Sequence, residues 1–166
     1  MSEQVHPKKD RSWLVYRESI PTEMRQGAAK KAITEYFESI GFRQTQMSPS
    51  LQFERGALLA SLYSPNPRSQ KTHITADIVS SGSENLIELV VRINRFGNIP
   101  LEPDFDFWRV EIEGLANTVQ QGYSDPRLSE YAAERAKWYS IAMMMALLFV
   151  ALVFSVIAII SVMLFL

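Results

Sequence analysis

From Ile141 to Leu166 the chain runs for 26 residues without a charged side chain, and only Ser155 and Ser161 interrupt the apolar sequence. A helix of that length spans about 39 Å, against a hydrocarbon layer about 30 Å thick. It is therefore long enough to cross a bilayer, with some tilt or overhang. It is also apolar on every face, and the preceding 140 residues are too few to surround it as a core helix. Trp138 and Tyr139 stand just before the run, where an interfacial aromatic belt belongs, with Arg135 and Lys137 beside them.

The cations Arg127, Arg135 and Lys137 lie on the N-terminal side of this segment, which predicts a cytoplasmic or stromal location for that flank. The C-terminus would then lie at the far face. Met1 to Glu18 is polar and charged, with no apolar signal segment. With the hydrophobic segment made last, the sequence predicts a tail-anchored, single-pass membrane protein. A glycolipid-anchor signal also ends in an apolar tail, but it requires a secretory N-terminus.

The bulk composition, 47% apolar with net charge -1, averages two unlike pieces, because all 17 basic and 18 acidic side chains lie before residue 141. About a quarter of that first piece is charged, as in an ordinary soluble domain, and it is long enough to bury a core. Its near-neutral balance gives no reason to expect a nucleic-acid partner. The absence of cysteine favours a reducing, cytosol-facing location.

Residues 1–12 read as a flexible polar arm, 13–122 as a soluble α+β domain, 124–140 as a juxtamembrane helical stalk and 141–166 as the transmembrane helix. Trp13 opens a strand candidate that Pro21 closes. Thr22 then caps a helix to Ile40, with Ala29, Ile33, Tyr36, Phe37 and Ile40 at helical spacing and Gly41 as the stop. Phe42–Met47 and Leu51–Arg55 flank a Ser48-Pro49-Ser50 turn and read as a hairpin. Thr72–Val79 and Leu86–Arg95 alternate cleanly, with Ile87, Leu89, Val91 and Ile93 on one side. Leu58–Tyr63 is a further strand candidate, from the alternation of Leu58, Ala60 and Leu62.

A second helix begins near Asp104, with Phe105, Trp108, Ile112, Leu115 and Val119 as its buried stripe and Gly122 as its end. With Leu58–Tyr63 set apart as the further candidate, these predict a twisted antiparallel sheet in the order β-α-β-β-β-β-α, with two helices on one face. Pro126 then restarts a helix that meets no breaker before the membrane. Stalk and anchor would form one helix of about 40 residues, holding the domain near the bilayer on a semi-rigid post.

No catalytic, cofactor or metal motif emerges, so no enzyme activity and no cofactor are expected. The acidic run Glu102, Asp104, Asp106, Glu111 and Glu113 is best read as helix capping, with Glu111 and Glu113 off the buried stripe. His6 and His73 stand alone in sequence and read as surface residues. The proline-stiffened loop from Tyr63 to Lys71 is the most distinctive soluble segment. Its Pro65, Asn66, Pro67, Arg68 and Lys71 are candidates for contact with a protein partner or an anionic headgroup. Arg92, Arg95, Arg55 and Lys71 would form a basic face if strand order brings them together. In the anchor, Ala151, Ser155 and Ala158 place small residues along one side, a pattern that permits close helix packing. The expected partners are thus the lipid bilayer and a protein, and the expected role is an accessory or assembly subunit of a membrane complex. The alternative is a membrane-tethered module that binds a hydrophobic small ligand or lipid.

Overall fold

Alternation of apolar and polar residues along four segments, with the wholly polar Arg43–Gln46 added at one edge, builds an antiparallel open sheet with one dry face. The computed structural model describes residues 13–60, 64–81, 84–94 and 102–165. Its strands are β1 (Trp13–Thr22), β2 (Arg43–Gln46), β3 (Leu51–Arg55), β4 (Thr72–Ser81) and β5 (Glu84–Asn94). Its helices are α1 (Gln26–Ser39), α2 (Glu102–Gln121) and α3 (Pro126–Phe165), and a short 3-10 turn occupies Pro67–Ser69. The sheet order is β1-β5-β4-β3-β2. Tyr16, Val91, Ile74 and Phe53 stand opposite one another across four strands and form one row of the covered face.

Both α1 and α2 lie on that face. Ala29, Ile33, Tyr36 and Phe37 are buried at the spacing that predicts α1. The helix closes at Gly41, where φ is +90° and the amides of Gly41 and Phe42 bond the carbonyls of Glu38 and Phe37. Thr22 does not cap this helix, which starts after Arg25. It ends β1 instead, and its hydroxyl donates to the Val119 carbonyl at 3.2 Å.

The buried stripe of α2 is Asp104, Phe107, Trp108, Glu111, Leu115 and Val119. Phe105, assigned to the stripe from sequence, is 40% exposed, with its ring edge-on to Tyr16 at 6.5 Å. Glu111, assigned to the wet side, is buried. The strand candidate at residues 58–63 is also corrected over its described part, residues 58–60. Ala57 bridges to Gln70 and the chain turns immediately, leaving Leu58 and Leu59 exposed, while residues 61–63 lie outside the described set. Gly56 permits this turn, because its φ is +77° and a Cβ there would collide with the Gln70 carbonyl.

The two ends of the sheet can be told apart. Arg55, Thr72, Asn94 and Trp13 mark one end, and Thr22, Asn85 and Ser80 mark the other. Along β1, α2 runs from the Arg55 end toward the Thr22 end, with Phe105 against Tyr16 and Val119 against Thr22. α3 then returns antiparallel to α2, since Ser124 lies beside Gly114 and Ser129 beside Glu111. It therefore leaves the domain past the Arg55 end. α3 is unbroken for 40 residues, about 60 Å. Its first turns are no free post: Ser129, Ala133 and Ala136 are buried. Ala136 is the last buried residue among those described in it.

Candidate functional site

The densest polar arrangement in the structure lies where α3 meets the domain. Leu51, Phe53 and Arg55 alternate onto the covered face of β3, so a guanidinium enters a largely apolar layer. Glu111 enters the same layer from α2, one turn after Trp108. Their side chains are 7% and 4% exposed. Arg55 Nη1 donates to Glu111 Oε1 at 2.8 Å and Nη2 to Oε2 at 2.9 Å, a two-bond fork that fixes both groups. Nη1 also donates to the Ile40 carbonyl at 2.9 Å, which ties in the end of α1. The guanidinium carbon sits 4.1 Å from the centre of the Phe42 ring.

The network extends to the loop and to α3. Ser129 donates to Glu111 Oε1 at 3.1 Å and accepts from Arg68 Nη2 at 2.6 Å. Tyr36 donates to the main-chain carbonyl of Glu111 at 2.6 Å. Burial, and then the nearby Glu111 charge, raise the Tyr36 phenol well above its ordinary range, so it acts as a fixed donor. Gly114 makes room for that hydroxyl, since a Cβ there would collide with it. Four elements thus meet on one carboxylate: β3, α2, α3 and the 3-10 turn.

The loop residues singled out from sequence take defined places here. Asn66 caps the 3-10 turn by accepting the Arg68 amide at 3.0 Å, and Pro67 is buried. Pro65 is half-buried. Arg68 reaches Ser129 of α3, and Lys71 donates to Glu54 at 2.6 Å. Tyr63 and Arg95 lie outside the described residues, as does His6. Arg55 does not join Arg92 and Lys71 in a basic face, because it points into the core while Arg92 lies on the uncovered face.

That uncovered face carries a charged row, Arg43, Glu54, His73 and Arg92, each opposite the next across β2, β3, β4 and β5. Glu54 Oε1 lies 3.2 Å from His73 Nδ1, a contact that favours the imidazolium. Partial burial outweighs it, and with Lys71 and Arg92 nearby the imidazole pKa falls below its usual value. The Trp13 ring lies 5.5 Å from His73. The Lys71 hydrogen bond, aided by the charges of Lys71, His73 and Arg43, lowers the Glu54 pKa despite slight desolvation.

On α3, Arg135, Trp138 and Tyr139 are exposed, and Lys137 lies 5.9 Å above the Trp138 ring. Ala151, Ser155 and Ala158 are exposed too, and Ser155 donates to the Ala151 carbonyl at 2.8 Å. Ala151 stands 18 residues, about five turns, beyond Ala133, so this small-residue side continues the face by which α3 packs on the domain. From Arg127 to Ser161 the helix is long and apolar enough to cross a membrane, and its most apolar window is 0% buried. Among the described residues no group of three or more His, Asp or Glu side chains is placed to hold a metal. At the Thr22 end a cleft of about 620 Å³ opens beside Thr22, Met24 and Val119. No protein-family model matches the chain, and comparison with curated proteins returns no match.

Proposed function

We propose that this chain is a single-pass membrane protein whose α+β domain faces the cytoplasm or stroma and serves as an accessory or assembly subunit of a membrane complex. The observation that carries the membrane reading is the second half of α3, whose apolar window is 0% buried among the described residues. An apolar surface of that extent needs lipid or another protein around it. The cations Arg127, Arg135 and Lys137 on the domain side support a cytoplasmic flank. Partner binding draws support from the uncovered sheet face, where the charged row adjoins Trp13, Val15 and Val90.

The hydrophobic-ligand alternative has less support. Phe37, Phe53, Phe107 and Trp108 fill the space between helices and sheet, and the cleft at the Thr22 end includes Glu23 and Gln120 in its lining. Alkaline carbonate extraction tests the anchor, and protease protection of an N-terminal epitope tests its orientation. Affinity purification in mild detergent tests the subunit role: a stoichiometric partner is expected, and recovery of this chain alone would refute it.

A further inference from the structure

Two adjacent leucines, Leu58 and Leu59, are 54% and 52% exposed, on a turn that extends past the Arg55 end of β3. The turn is held in place. The Ala57 amide bonds the Ser69 carbonyl at 3.0 Å, the Ala60 amide bonds the Ala57 carbonyl at 3.1 Å, and Ala60 is itself buried. One residue before Ser69, Arg68 grips Ser129 of α3. The leucines are thus presented by a braced turn fastened to the same helix that carries the apolar segment.

The direction of that helix decides what they face. α3 leaves the domain past the Arg55 end, the end that carries the leucines. Ala136 is the last buried residue among those described in α3, and the apolar run starts at Ile141, five residues or about 7.5 Å further along the axis. The headgroup layer on each side of a bilayer is about 5–8 Å deep. A helix that leaves near the membrane normal thus holds Ala136 within about one headgroup depth of the hydrocarbon, which brings the Arg55 end of the domain toward the interface.

We propose that Leu58 and Leu59 insert into the bilayer interface and form a second membrane contact beside α3, so that the domain rests on the lipid by its Arg55 end. This rests on the single-pass reading above. The chain has no cysteine, so Leu59→Cys and Leu58→Cys each introduce a single thiol for an environment-sensitive fluorophore. Met47→Cys provides the control, because Met47 is 69% exposed on the turn between β2 and β3, directed away from that end. The labelled full-length chain is reconstituted into vesicles of phosphatidylcholine with a minority of phosphatidylglycerol. Carbonate-resistant pelleting is measured on the same samples.

The expected result is blue-shifted emission at positions 58 and 59. Lipids spin-labelled near the headgroup should quench it severalfold more strongly than at position 47. Emission as wet as the control in protein that pellets overturns the contact and leaves the anchor standing. A blue shift without quenching by the labelled lipid means that protein covers the leucines, and also overturns it. Failure to pellet overturns the membrane reading and this inference with it.

Discussion

Replacing Glu111 by leucine would leave Arg55 charged, 93% enclosed and stripped of both bonds of its fork, at 2.8 and 2.9 Å. Removing one member of such a buried pair typically costs about 3–5 kcal/mol, because the remaining charge loses water without gaining a counter-charge. The Ile40 carbonyl at 2.9 Å and the Phe42 ring at 4.1 Å remain, which favours the lower half of that range. Small domains have only about 5–15 kcal/mol of net stability, so the loss should be plain. Removing both charges is a different perturbation. Arg55→Met with Glu111→Leu leaves an apolar contact and should recover about 2 kcal/mol of what Glu111→Leu alone loses. Urea titration of the full chain in detergent micelles reads this out through tryptophan emission, in which Trp108, 2% exposed among the three tryptophans, should carry most of the change. The reasoning fails if Glu111→Leu lies within about 0.5 kcal/mol of the parent, or if the double variant is no more stable than it.

Gly114→Ala should destabilise the domain by about 1–3 kcal/mol despite alanine's better helix propensity, because its methyl collides with the Tyr36 hydroxyl. Tyr36→Phe in the same background should restore part of the loss, and simple additivity in urea midpoints would refute the clash. Ala136→Leu should force α3 off α2 at a cost of about 1–3 kcal/mol, since Ala136 is 1% exposed. Amide exchange between Ser129 and Ala136 should then rise while the sheet stays protected. The lowered pKa values of His73 and Glu54 mean that the unfolded chain binds protons first. Their contribution to stability is therefore complete above the ordinary histidine value of 6.5 and is lost as pH falls, with the Glu54 part following below 4.5. Urea midpoints should drop as the pH is lowered from about 7 to about 5, and His73→Gln should flatten that part of the profile. An unchanged slope in His73→Gln would count against the assignment.

The elements that could be read from sequence are those whose periodicity is carried by hydrocarbon. The stripe from Ala29 to Ile40 is one, and the alternation of Ile87, Leu89, Val91 and Ile93 is another. The uncharged run after Ser140 makes the apolar helix plain for the same reason. The polar junction escaped because polarity reads as exposure until a partner is known, and Arg55 and Glu111 are separated by |i−j| = 56. A signal did exist. Arg55 continues the inward alternation of Leu51 and Phe53, and Glu111 stands three residues after Trp108 and four before Leu115. Two opposite charges on two buried stripes pointed to a pair, but the pairing needs the topology. Residues 58–63 misled in the opposite way. Leu58, Ala60 and Leu62 alternate like a strand, but after the bridge between Ala57 and Gln70 the described part, Leu58 to Ala60, turns instead of joining the sheet.

The antiparallel packing of α3 on α2 also sets the posture of the sheet. The strands near β1 run roughly along α2. In the proposed single-pass arrangement they would stand upright on the bilayer, and their uncovered face would look sideways, along the plane of the membrane. The row Arg43, Glu54, His73 and Arg92 crosses the strands and would then lie level with the lipid surface. A soluble protein arriving from above would meet turns. A neighbour diffusing in the same bilayer would meet the row broadside, at a fixed height and with both molecules already oriented. Part of the orientational freedom that association normally removes is then already spent in anchoring. For such a face, encounter is a search in two dimensions.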